Sequence, residues 1–194
     1  MSLAIFDGAG IVISVILCSM AVKLVDDFLD RDFDTRAGCL NFSKKLGRGA
    51  IVYGMLFLSL GASMNASVTM PLFLASYCIG MCNDLKKVFT SGFSGIQESL
   101  LVFILGLLLW GWRSMLFSMF FIFSMQLFDD YLDIYTDQLA GYRNLAYRMG
   151  KVECLLLSLL TLCTSWWLNE HVFSFVFLGT AVFYSALLFY QRRR

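Results

Sequence analysis

A chain of 194 residues with 59% hydrophobic and only 15% charged residues is no ordinary soluble domain, in which roughly 25% of residues are charged. The formal charge of +1 argues against a nucleic-acid partner, and no basic run is interleaved with aromatics outside the loops. A mean hydropathy of +0.73 and a single proline fit an all-α, polytopic membrane bundle whose partner is the lipid bilayer.

From the N-terminus, apolar runs fall near 9–25, 50–64, 67–82, 99–112, 114–128, 154–168 and 172–190. They predict about seven transmembrane helices in a single domain over 1–194. Several runs are shorter than the ~20 residues of a full span, so these helices extend into polar flanks. Residues 1–9 lack a positive n-region, which argues against a cleaved signal peptide. Lys44, Lys45 and Arg48 follow the first run, Lys86 and Lys87 the third, Arg143, Arg148 and Lys151 the fifth, and Arg192 to Arg194 the seventh. The intervening loops hold only Arg113, Glu170 and His171. The positive-inside rule then places the N-terminus outside and the C-terminus in the cytoplasm. The cysteines lie mostly inside apolar runs, where they behave as small hydrophobes, and Cys78 with Cys82 reads as helix packing rather than a metal site. Lys23 and Glu98 lie at or within helix ends and receive no role beyond one at a cleft rim.

The polar residues follow a second pattern. DDFLDRDFDTRAGCLNFSKKLG, from Asp26 to Gly47, pairs without a gap with DDYLDIYTDQLAGYRNLAYRMG, from Asp129 to Gly150, at an offset of 103. Identities fall on polar and turn residues: Asp26/Asp129, Asp27/Asp130, Asp30/Asp133, Asp34/Asp137, Ala37/Ala140, Gly38/Gly141, Asn41/Asn144 and Gly47/Gly150. Copies centred on 26–47 and 129–150, on helices four apart in the chain, make a parallel internal repeat. Both copies are expected on the cytoplasmic side, flanking one cleft.

At about 100° per residue, a helix continued through Asp26, Asp27, Asp30 and Asp34 carries all four on one end face. Four acids so placed repel one another, raise each other's pKa and destabilise the helix. A divalent cation removes that penalty. An all-carboxylate shell is hard-oxygen chemistry, which favours Mg²⁺ over Zn²⁺, and Mg²⁺ is commonly shared with a substrate phosphate. The expected metal set is Asp26, Asp27, Asp30, Asp34, Asp129, Asp130, Asp133 and Asp137. Basic residues of the same loops, Arg36, Lys86, Lys87, Arg143 and Arg148, are candidates for the remaining phosphate oxygens, with Asn41 and Asn144 nearby. An EF-hand reading of Asp30, Asp32 and Asp34 fails, because Thr35 occupies the glycine position and Asn41 that of the bidentate Glu.

The paired DDxLDxxxD motifs, with DxxAGYRNLAYRMGK trailing the second, resemble those of the UbiA superfamily of intramembrane prenyltransferases, which read approximately NDxxDxxxD and DxxxDxxxD. The resemblance covers most of the chain. It places Asp26 and Asp30 at the first motif's metal-binding Asn and Asp, and Asp129, Asp133 and Asp137 in the second motif. Lys86 and Lys87 look like the family's diphosphate-contacting basic pair. The chain departs from the family in Asp26, where Asn is usual, and in lacking the family's first and last helices. What the resemblance implies is Mg²⁺-assisted ionisation of an allylic prenyl diphosphate, with Asp30 and Asp133 as catalytic acids and transfer of the isoprenoid to a lipophilic acceptor. Phe28, Tyr131 and Tyr135 are candidates for contact with the isoprenoid or its carbocation. A terpene cyclase of the same superfamily and a non-enzymatic divalent-cation-binding or transport protein are the alternatives.

Overall fold

The computed structural model describes residues 2–31, 41–81, 88–89, 91–140 and 144–192. Among them the chain is helical: α1 (Ser2–Leu29), α2 (Ser43–Leu46), α3 (Gly49–Gly80), α4 (Gly95–Trp110), α5 (Trp112–Leu132), α6 (Ile134–Ala140), α7 (Leu145–Met149), α8 (Lys151–Leu168) and α9 (Glu170–Arg192). An isolated bridge between Val88 and Ser94 lies outside any named strand.

Among the described residues five helices are long and apolar enough to cross a membrane: Gly8–Leu29 within α1, then α3, α5, α8, and Glu170–Tyr190 within α9. The 16-residue α4 is apolar but shorter. The sequence predicts separate runs at 50–64 and 67–82, and α3 is likewise two helical segments joined at Asn65, whose backbone leaves the helical region at φ −154° and ψ 89°. Its side-chain oxygen accepts from the Val68 N–H at 3.2 Å, so Asn65 ends the segment 49–64 and caps 66–80. Breaks of one residue recur. Asn169, at φ −153° and ψ 79°, separates α8 from α9, and Gly111, at φ 82°, separates α4 from α5. Ser94 and Gln97 start α4 with a reciprocal capping box.

The chain divides into two compact units, residues 1–70 with 171–194, and residues 71–170. Each holds one copy of the acidic repeat. In the first, α1 buries Ser14, Val15, Cys18, Ala21, Leu24 and Asp27. In the second, α5 buries Phe117, Ser118, Phe121, Ser124, Leu127 and Asp130, each 103 residues later. The partner helices follow the same plan shifted by one residue: Ala50, Gly54 and Gly61 are buried in α3, and Cys154, Ser158 and Ser165 in α8.

Small residues set how closely these helices approach. A hydrophobic driving force is weak among lipid tails, so close backbone contact and interhelical hydrogen bonds hold helices together. In the second unit the Ser158 hydroxyl donates to the Ser124 carbonyl at 3.0 Å and the Ser165 hydroxyl to the Phe117 carbonyl at 3.3 Å. At the matching places in the first unit glycines do the packing. A Cβ on Gly54 would lie 3.5 Å from the Ala21 carbonyl oxygen, and one on Gly61 would lie 3.1 Å from that of Ser14. Outward faces stay apolar, with Leu108 78% and Trp167 81% exposed, as lipid-facing helices require.

Candidate functional site: a duplicated acidic latch

The four acids of the second copy do not share one helix face. Helix α5 ends at Leu132, so the geometry that would align i with i+8 stops before Asp133 and Asp137 are reached. Asp133 is the C-cap of α5 at φ −97° and ψ 13°, and Asp137 belongs to the separate helix α6. The adjacent acids Asp26 and Asp27 point apart: Asp26 and Asp30 are exposed, while Asp27 is 1% exposed. The second copy repeats this, with Asp129 and Asp133 exposed, Asp137 half-buried and Asp130 6% exposed.

The inward acids perform the same task in both copies. Asp27 Oδ2 accepts the Phe42 N–H at 2.7 Å, and Asp130 Oδ2 accepts the Leu145 N–H at 2.9 Å. Their main-chain carbonyls accept from the Asn41 amide at 2.6 Å and the Asn144 amide at 2.7 Å. The asparagine oxygens then accept from the backbone N–H groups of Lys44 at 3.2 Å and Tyr147 at 3.0 Å. Asp and Asn together therefore fasten the end of a long helix to the start of a short one. The Ser43 hydroxyl lies 2.7 Å from the Asp27 carbonyl, whereas the second copy has Ala146 there.

The remaining carboxylate oxygen is met differently in each copy. Lys23 Nζ is 2.9 Å from Asp27 Oδ1, an i,i+4 ion pair that neutralises a buried charge. Gln126, 103 residues after Lys23, donates its amide to Asp130 Oδ1 at 3.4 Å and brings no charge. The sequence left Lys23 as a structural charge or a residue of the cleft rim, although its i−4 spacing from the repeat aspartate and its counterpart Gln126 pointed to this pairing. Removing either inward carboxylate would strand a buried N–H, at about 1–3 kcal/mol.

Asn144 also sets one of the outer acids. Its side-chain nitrogen donates to Asp137 Oδ2 at 2.8 Å as well as to the Asp130 carbonyl, so both amide hydrogens are committed within the protein. The Asp133 carboxyl is raised above the usual carboxylate range, first by partial desolvation and then by the nearby Asp137. Repulsion of this kind is relieved by a cation, and the negative end of the α5 dipole lies at the same place.

Of the other expected site residues, Arg148 is exposed in the last turn of α7. Asp34, Arg36, Lys86, Lys87 and Arg143 lie outside the described residues. Phe28 is half-buried near the end of α1. Tyr131 and Tyr135 are both within reach of a cation, but that cation is Lys151, whose Nζ lies 5.1 and 5.3 Å from the two ring centroids. The exposed Lys151 follows Gly150, which at φ 109° makes the tight turn between α7 and α8.

Among the described residues, no three His, Cys, Asp or Glu side chains are gathered closely enough to form a ready metal site. Asp26, Asp30, Asp129 and Asp133 nevertheless offer exposed carboxylate oxygens, the donor type that a hard cation takes. No protein-family model, curated protein or solved structure matches the chain.

Proposed function

We propose that the protein is a Mg²⁺-dependent intramembrane prenyltransferase of UbiA type, with seven membrane crossings, its N-terminus outside and its acidic motifs on the cytoplasmic side. Its substrates are an allylic prenyl diphosphate and a lipophilic acceptor. The observation that carries the reading is the duplicated arrangement of outward carboxylates, Asp26 with Asp30 and Asp129 with Asp133, at the C-terminal ends of two apolar helices. Carboxylate oxygens are the donors that a hard divalent cation such as Mg²⁺ takes.

On this reading Asp26, Asp30, Asp34, Asp129, Asp133 and Asp137 hold the metal ions, while Asp27 and Asp130 are the latch. When bound, Mg²⁺ supplies positive charge against the diphosphate oxygens as the allylic C–O bond breaks and its electron pair leaves with the diphosphate. Arg148 and Lys151, with Arg36, Lys86, Lys87 and Arg143, meet the remaining phosphate oxygens. The apolar helices hold the isoprenoid, whose allylic carbon takes an electron pair from the acceptor, and the acceptor then loses a proton.

The test is product analysis. Purified protein is given geranyl, farnesyl and geranylgeranyl diphosphates with Mg²⁺, with and without a membrane lipid extract, and organic products are read by mass spectrometry. A prenylated adduct formed only with the extract is the expected result. A cyclic hydrocarbon or alcohol formed without extract would make the protein a terpene cyclase. No consumption under either condition, with Mg²⁺ still bound, would leave a cation-binding or transport protein.

A further inference from the structure

The metal set expected from the sequence includes the inward carboxylates, but their surroundings differ from those of a metal ligand. A ligand needs a lone pair aimed at an open position. Asp27 and Asp130 are 1% and 6% exposed, and each has one oxygen on a backbone N–H and the other on Lys23 or Gln126. In the second copy the chain of contacts runs on through Asn144, bonded to both the Asp130 carbonyl and the Asp137 carboxylate.

We infer that Asp27 and Asp130 are positioning residues and not metal ligands: each latches the acidic helix end to the short helix that follows. In the second copy the Asp130 and Asn144 pair also holds the Asp137 carboxylate in place. The identity of the ligands rests on the function proposed above; the latch itself rests only on the geometry within each copy.

Replacing the carboxylate by its isosteric amide separates the two roles. In Asp130→Asn the amide oxygen still accepts the Leu145 N–H, and Gln126 turns its own amide to offer oxygen instead of nitrogen, so the latch survives without its charge. Asp133→Asn keeps the fold and removes a ligand. Asp130→Ala removes the latch. Full-length protein in detergent micelles is titrated with Mg²⁺ by calorimetry, and each variant is melted in parallel without metal.

Asp130→Asn is expected to bind Mg²⁺ within about threefold of the original protein and to melt at nearly its temperature. Asp133→Asn is expected to lose more than about tenfold in Mg²⁺ affinity with little change in melting, and Asp130→Ala to lose both, as when a group that orients a ligand is removed. If Asp130→Asn weakens Mg²⁺ as much as Asp133→Asn while melting normally, Asp130 is a ligand and the inference is overturned. Should the unaltered protein take up no Mg²⁺, the metal reading fails, and melting alone decides the latch. Asp130→Ala well below Asp130→Asn then supports it, and Asp130→Ala melting like the unaltered protein overturns it.

Discussion

Neighbouring aspartates in this chain have opposite surroundings, because one residue along a helix is a rotation of about 100°. That rotation takes Asp26 to the surface and Asp27 into the fold. The outward acids should be where chemistry fails first. On the proposed function, Asp30→Asn or Asp133→Asn is expected to lower turnover by orders of magnitude, since a ligand and its charge would both be lost, while melting temperature stays near that of the parent. Near-native kcat in both variants would remove the acids from the mechanism. Lys151 gives a second prediction at this scale. Two tyrosine rings hold its ammonium, so Lys151→Met should raise KM for the prenyl diphosphate more than it lowers kcat, and Tyr135→Leu should shift KM in the same direction by less. Steady-state kinetics on the two variants would show it, and an unchanged KM in Lys151→Met would count against diphosphate contact.

At the scale of elements, the serine contacts of α5 with α8 and the glycine contacts of α1 with α3 answer the same packing problem in two ways. Where the helix backbones are closest a side chain cannot be added freely. A Cβ on Gly179 of α9 would lie 2.9 Å from the Val15 Cβ and 3.0 Å from the Val12 carbonyl oxygen. Gly179→Ala should therefore destabilise the protein by about 1–3 kcal/mol, as overpacking does, measurable by denaturant unfolding in micelles. Much of this level was legible in the sequence. Among the described residues each of the seven apolar runs lies mostly on helix, and the repeated Asp27 and Asp130 make matching hydrogen bonds. In the second copy the assignment of all four acids to one face failed for a local reason. Periodicity assumes that a helix continues, and α5 stops at Leu132 with Asp133 as its cap. Burial was illegible for a different reason. The carboxylates of Asp26 and Asp27 are chemically identical, and Asn41 and Phe42, brought back 14 to 15 residues later, are among the groups that tell them apart.

For the whole molecule the predictions concern orientation and metal linkage. Lys45 is exposed at the cationic end of the first unit, and Ser67 is exposed just past the Asn65 break. Lys45→Cys should gain label from an impermeant reagent applied to the cytoplasmic side, and Ser67→Cys from one applied to the opposite side; the reverse would put the acidic motifs outside. A cation that binds only the folded acid clusters adds stability by mass action. The measurement that tests the account most directly is diphosphate release from geranyl, farnesyl and geranylgeranyl diphosphates by purified protein in the presence of the lipid extract. It is followed with Mg²⁺, with chelator, and in Asp133→Asn. The account predicts release from at least one substrate that requires Mg²⁺ and is nearly abolished in the variant. Release that persists in chelator or in Asp133→Asn, or no release from any of the three, would contradict it.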